Sequence, residues 1–230
     1  QGDPFAAPSS LHVELPLAKA GFPEKYFEGR HTKTALEDLI LRKFSRALDQ
    51  YSFKAKGSGK SGLISTSRPG PEVMRRTAVE FTEKLLIVRF EVGFPANGRT
   101  INAQELEKIL LDFLPQIVKK CLYYQAWDKR LVQEGFELAE NQQKIREVLE
   151  ERKLVAFCAN GSILPRKSGV SSQPLKDAVA FESPKSMELA IDLPFGGSIF
   201  GMGIPEGVTL IIGGGYHGKS TLLQALEQGV

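Results

Sequence analysis

The stretch IIGGGYHGKSTLLQ, residues 211–224, decides how this chain is read. Within it GGGYHGKS (213–220) fits G-x-x-x-x-G-K-[ST] at every position, after an apolar VTLII and before a helix-forming KSTLLQAL. Strand, glycine-rich loop and helix is the order a phosphate cradle needs. Gly213 and Gly218 can take backbone angles closed to residues with side chains, so that successive N–H groups converge on one anion. The following helix adds the positive end of its dipole. Lys219 would reach the β- and γ-phosphates of ATP and is the candidate catalytic residue. The Ser220 hydroxyl would ligate Mg²⁺, and Thr221 would offer an N–H and a hydroxyl to the phosphate nearest the sugar. Gly214, Gly215, Tyr216 and His217 complete the candidate ATP-binding set. His217 either approaches the γ-phosphate or a partner subunit, or simply faces solvent.

Upstream, LHVELPL (11–17) alternates as a strand does, and Ala35, Leu36, Leu39, Ile40 and Phe44 recur at helical spacing from Thr32 onward. TAVEFTEKLLIVRFEVGFP (77–95) reads as two strands joined around Thr82–Lys84. Asn102 is a good N-cap, with Glu105 placed to complete a capping box, and Pro115 should interrupt or kink the helix that follows. A long helix from about Asp128 to Arg152 is expected to bury Leu131, Phe136, Leu138, Ile145, Val148 and Leu149. LVAFCAN (154–160) reads as a strand and 161–174 as a loop. MELAIDL (187–193), GSIFGMGI (197–204) and VTLIIGG (208–214) read as three more strands, the first two as a hairpin. A composition shift near residue 175 divides the chain into an α+β module (1–175) and the opening of a nucleotide-binding domain (176–230).

Composition is that of a globular protein, 42% hydrophobic and 25% charged, and the net charge of +3 says little about partners. Cys121 and Cys158 fit neither a disulfide framework nor a zinc pattern, which points to reduced thiols and a cytoplasmic setting, or an organellar one in a eukaryote. No apolar run is long enough to span a bilayer, which discounts a transporter role for this chain. Both ends read as internal to a longer protein. Leu210 to Ile212 and Leu222 to Leu226 should then need another segment over their apolar faces.

Between Arg30 and Arg76 eleven Lys/Arg stand against four Asp/Glu, an excess larger than that of the whole chain, so the rest is net acidic. KAKGSGKSG (54–62) contains GKS but has Lys54 where the first glycine should stand, and no apolar strand leads into it. As a flexible loop with accessible N–H groups, its Lys54, Lys56 and Lys60 could instead track a phosphodiester backbone. Arg166 and Lys167 in LPRKSG repeat that style on a smaller scale. Arg42, Lys43 and Arg46 read more simply as the solvated face of a helix.

QGDPFAAPS, GSGKSG, ILPRKSGV and GMGIPEGVTLIIGGGYHGKSTLL, in this order and across essentially the whole chain, resemble the predicted ATPases of the ABC class. That soluble family includes a kinetoplastid protein linked to mitochondrial RNA editing. The resemblance implies a family-specific α+β N-terminal module, then the first strands, P-loop and helix of an ABC-type α/β nucleotide-binding domain, with Gly213 to Thr221 as its nucleotide residues. It further implies ATP and Mg²⁺ as cofactors and a homodimer, because the family's signature segment closes over the γ-phosphate of a second subunit. Its acidic Walker B strand end and signature segment lie beyond the P-loop, so this stretch alone is expected not to turn over ATP. Three functions remain: ATP hydrolysis in the complete protein; an RNA- or DNA-binding module gated by nucleotide; and a small-molecule P-loop kinase, which the resemblance disfavours.

Overall fold

Residues 6–229 are described by the computed structural model; Gln1 to Phe5, which open the QGDPFAAPS stretch, lie outside the described residues. The chain forms two compact units, one of residues up to 69 with 73–136, the other of 70–72 with 137 onward. The division falls earlier in the chain than the composition shift near residue 175.

The first unit is built on β4 (Leu85–Val92), whose Leu86, Val88, Phe90 and Val92 alternate inward. β1 (Ser9–Pro16) pairs antiparallel along one whole edge of β4, and α1 (Leu17–Ala20) follows it. On β4, β2 (Ile64–Ser65) pairs with Val92 and Glu91, and β3 (Val79–Phe81) with Val88 to Leu86, both antiparallel. α2 (Arg30–Asp49) forms because Leu36, Ile40, Leu41, Phe44 and Leu48 make one apolar stripe, and all are buried. Phe44 meets Phe90 edge-on at 5.9 Å between ring centroids. Two acids on the same helix are buried as well. The Phe81 N–H donates to Glu37 at 2.9 Å, tying α2 to β3, and Asp38 takes Arg42 at 2.5 Å and Arg76 at 2.7 Å.

A small ribbon of β5 (Ala96–Asn97) and β6 (Thr100–Ile101) leads into α3 (Ala103–Glu107). Asn102 caps α3 by accepting the Glu105 N–H at 3.4 Å. The second half of the expected capping box does not form, because the Glu105 carboxylate is taken by the Lys56 N–H and Lys108. Where Pro115 is expected to interrupt or kink the helix, the turns before it are π-helical, Lys108–Phe113, and the Leu114 N–H reaches back to Ile109. α4 (Leu114–Cys121) continues from it with the proline in its first turn, where a missing N–H is harmless.

α5 (Lys129–Glu151) is the long helix. Its buried residues include Val132, Ala139 and Val148, whereas Leu131 and Leu138, expected inside, are about half exposed. Of the other residues expected inside, Val148 is buried and Phe136, Ile145 and Leu149 are half-buried, so only these two of the six turn outward. In the second unit β9 (Ser198–Pro205) is the central strand between β7 (Leu154–Ala159) and β8 (Glu188–Asp192), all antiparallel, so the expected hairpin is present. Asn141 holds the hairpin end by two amide hydrogen bonds of 3.0 Å to the Phe195 backbone. Glycines let the strands close up. A Cβ on Gly201 would stand 2.3 Å from the Cys158 carbonyl oxygen. The cysteine thiols are buried and free, and burial pushes Cys121 up to about 11.

Candidate functional site: the 213–221 loop and its helix

α6 (Lys219–Gln228) carries the glycine-rich loop at its N-terminus. Leu222 and Leu226, one turn apart, lie half-buried against Cys158, Met202 and Ile204, so the helix is seated on the β7–β9 sheet. Gly218 caps the helix in the left-handed region, φ 76° and ψ 7°. The first bond within the helix runs from the Leu222 N–H to the Gly218 carbonyl at 2.9 Å. Helix geometry therefore leaves the N–H groups of Lys219, Ser220 and Thr221 at the open end. A second left-handed residue, Tyr216 (φ 63°), turns its side chain fully into solvent. The His217 ring folds over Gly214, where a Cβ would come within 3.1 Å of it, so a side chain there would need the ring to shift. Gly215 meets nothing within 4 Å.

The Lys219 ammonium donates to the Gly213 carbonyl at 2.7 Å and to the Gly214 carbonyl. Lysine and loop thus form one closed unit over the helix end. Ser220 is exposed and Thr221 is half-buried. Among the described residues no group of three or more His, Cys, Asp or Glu could hold a metal ion. A single hydroxyl still fits Mg²⁺ brought in on phosphates, because that ion keeps several waters and takes only one or two protein oxygens.

The strand expected over 208–214 does not form a ladder. The segment has no β partner among the described residues, and Val208, Leu210 and Ile212 are largely exposed. Strand propensity needs a neighbour to supply hydrogen bonds, and periodicity within one segment cannot reveal whether one is present. Leu222 and Leu226 are covered in part by the sheet, while Leu223 stays exposed.

In the first unit, Lys54, Lys56 and Lys60 are all exposed, as the polyanion reading requires, but the loop that carries them is pinned. Its N–H groups at Lys56, Ser58 and Gly62 are engaged by Glu105, Ala96 and Gly93, which removes most of the accessible backbone donors expected there. The hydrogen bond from Lys108 and then that from Lys56 hold the Glu105 carboxyl below its ordinary range. The helix basics also differ from expectation. Arg42 is paired with buried Asp38, and Lys43 stands 3.9 Å over the Trp127 ring and donates to the Ala126 carbonyl, leaving Arg46 as the solvated member. Desolvation there pushes the Lys43 ammonium below its usual value.

The 161–174 loop is a folded excursion. Leu175 bonds back to Pro165 and Lys167 to Gln173, both at 2.8 Å, and Arg166 bridges Pro174. Its root is locked by Asn160 and Ser183 donating to Glu188 at 2.9 and 3.0 Å, which holds the Glu188 carboxyl low, the Asn160 bond being the larger cause. Lys167 is exposed, whereas Arg166 turns inward, an orientation that sequence style alone did not signal.

Residues 1–125 match a family described as the N-terminal portion of ATPases of the ABC class, and residues 128–230 match the P-loop domain of the same ATPases. The first match alone takes in more than half of the 230 residues. The chain belongs to the ABC-class ATPases. An α+β N-terminal module is thus followed by a P-loop domain, and nucleotide binding with ATPase activity is the family-level function. The chain is also 35% identical over 97 residues to the uncharacterized protein MJ1628 of Methanocaldococcus jannaschii, a match covering 39% of this chain and 22% of that protein. It therefore takes in about a fifth of that relative's length. No helix among the described residues of this ABC-class ATPase is long and apolar enough to cross a membrane.

Proposed function

We propose that residues 213–221 hold ATP with Mg²⁺, and that the complete protein hydrolyses the nucleotide as a homodimer in the cytoplasm or an organelle. The observation that carries this reading is the Lys219 ammonium held against the Gly213 and Gly214 carbonyls at the open end of α6. On binding, Lys219 exchanges those carbonyls for β- and γ-phosphate oxygens, and the N–H groups of 218–221 wrap the phosphates. Ser220 would hold Mg²⁺ through its hydroxyl, and the ion would supply charge neutralisation to the phosphates. Water attacks the γ-phosphorus, the bond to the bridging oxygen breaks, and ADP and inorganic phosphate leave. This chain's residues position and neutralise. The acid that orients the water and the segment that closes the site would come from elsewhere in the ABC-type domain and from a second subunit. Phosphate release by full-length wild type and by Lys219→Ala tests the reading; equal rates would remove this loop as the engine.

A second, compatible activity is nucleic-acid binding by the N-terminal module. Its support is the exposure of Lys54, Lys56 and Lys60 on a loop whose backbone is fixed, which would present three ammonium groups without a large ordering cost. Binding of a single-stranded RNA should weaken with salt, and the triple alanine variant should lower the slope of log K against log salt by about two. An unchanged affinity and slope would discard this activity while leaving the nucleotide site intact.

A further inference from the structure

Thr221, Gln224, Ala225 and Gln228 form one face of α6, and across a cavity of about 170 Å³ they look onto the tip of the 161–174 loop. Arg166 lines that cavity, and with Leu164 and Ala225 it also lines the adjoining larger one of about 500 Å³. Its Nε is buried and has no hydrogen-bond partner among the described residues. Its Nη1 makes a long contact of 3.4 Å with the Ile163 carbonyl. A guanidinium carries five donors in a fixed fork, and with one long contact to the protein this one keeps donors for a ligand. No carboxylate lines either cavity, and the larger has a second cation, Arg146, in its wall. The partner these walls call for is an anion.

The position of the cavity says which one. Thr221 is the third residue of α6, at the open helix end, on the side of the loop where the phosphate nearest the sugar is expected. The loop holding Arg166 is closed across its neck by the Leu175–Pro165 and Lys167–Gln173 backbone bonds, so the Arg166 backbone is fixed beside the cavity before any ligand arrives. We propose that Arg166 is a ligand of the nucleotide's α-phosphate, reaching it across the cavity that it shares with Thr221. This rests on the reading of 213–221 as the nucleotide cradle, and it moves Arg166 from the nucleic-acid contacts to the nucleotide site, leaving Lys167 as the exposed basic residue of that loop.

The experiment uses the full-length protein with Mg·ADP as probe, calorimetry for affinity and ³¹P NMR for the bound phosphates. Arg166→Gln should weaken ADP roughly tenfold or more, the usual worth of a hydrogen bond to a charged group. It should also move the α-phosphorus resonance of bound ADP and leave the β-phosphorus in place. Arg166→Lys, which keeps the charge and fills the same space, should recover part of the affinity. Removing an unpaired donor should not lower the melting temperature of the nucleotide-free protein. Wild-type affinity and an unmoved α-phosphorus resonance in Arg166→Gln would overturn the assignment, as would an equal shift of both resonances with a lowered melting temperature. Lys219→Ala separates the two readings. If it weakens ADP while Arg166→Gln does not, only the role of Arg166 falls; if it leaves ADP binding unchanged, the cradle itself falls.

Discussion

Gly218 offers the sharpest test of how the loop is shaped. It stands at φ 76° and ψ 7°, and a Cβ built there would meet nothing within 4 Å. A substitution at this position therefore introduces backbone strain without a clash in the protein. The left-handed region costs an ordinary L-residue about 1–2 kcal/mol, which corresponds to a roughly five- to thirtyfold loss if the loop must hold this shape to bind. Asparagine visits that region more readily, and a β-branched residue least of all. The affinity of the full-length protein for Mg·ATP, measured by calorimetry, should fall in the order Gly218→Asn, Gly218→Ala, Gly218→Val, with alanine near tenfold. Valine binding as well as wild type would mean that the bound loop does not use this conformation. Equal losses for asparagine and valine would mean that bulk against the ligand, and not backbone conformation, sets the effect.

Three further outcomes follow from the packing. Asp38→Ala leaves Arg42 and Arg76 facing a site that is 3% exposed, and urea melts should show a loss of about 3 kcal/mol; under 0.5 kcal/mol would show that the ion pairs are idle. Glu37 has its carboxyl raised by burial, so in the folded state it holds its proton more tightly than in the unfolded chain. Its contribution to stability is greatest in acid and is lost as pH rises from the ordinary carboxylate range through the raised one. Glu37→Gln, which still accepts the Phe81 N–H, should flatten that part of the pH–stability curve, and an unchanged curve would refute the assignment. Gly201→Ala places a Cβ 2.7 Å from the Phe157 ring as well as on the Cys158 carbonyl, and should destabilise by about 2–3 kcal/mol in thermal melts; wild-type melting would show that β7 and β9 can move apart freely.

What the sequence made legible was local. The stripe of α2, the β3–β4 pair around Thr82–Lys84, the β8–β9 hairpin and the start of α6 all follow from periodicity and turn residues that act over a few positions. What it hid was decided by partners far away in the chain. Glu105 looked like a capping-box residue, yet it spends its carboxylate on Lys56, 49 residues back. Glu37 and Asp38 carry charges that would place them outside, and besides Arg42 one turn on, it is distant β3 and the segment bearing Arg76 that meet them in the interior. Arg166 sits in a basic, glycine-flanked motif that suggests a surface contact, and only the fold turns it toward α6. The 208–214 segment has every mark of a strand except a neighbour to pair with.

The central claim is that Gly213 to Thr221 form a nucleotide cradle whose principal cation is Lys219. Equilibrium binding of Mg·ATP to the full-length protein, wild type against Lys219→Ala, tests it most directly. The account predicts a loss of affinity of at least tenfold in the variant with its melting temperature in the absence of nucleotide little changed, because the Lys219 ammonium now meets only loop carbonyls. Equal affinities in the two proteins would contradict it.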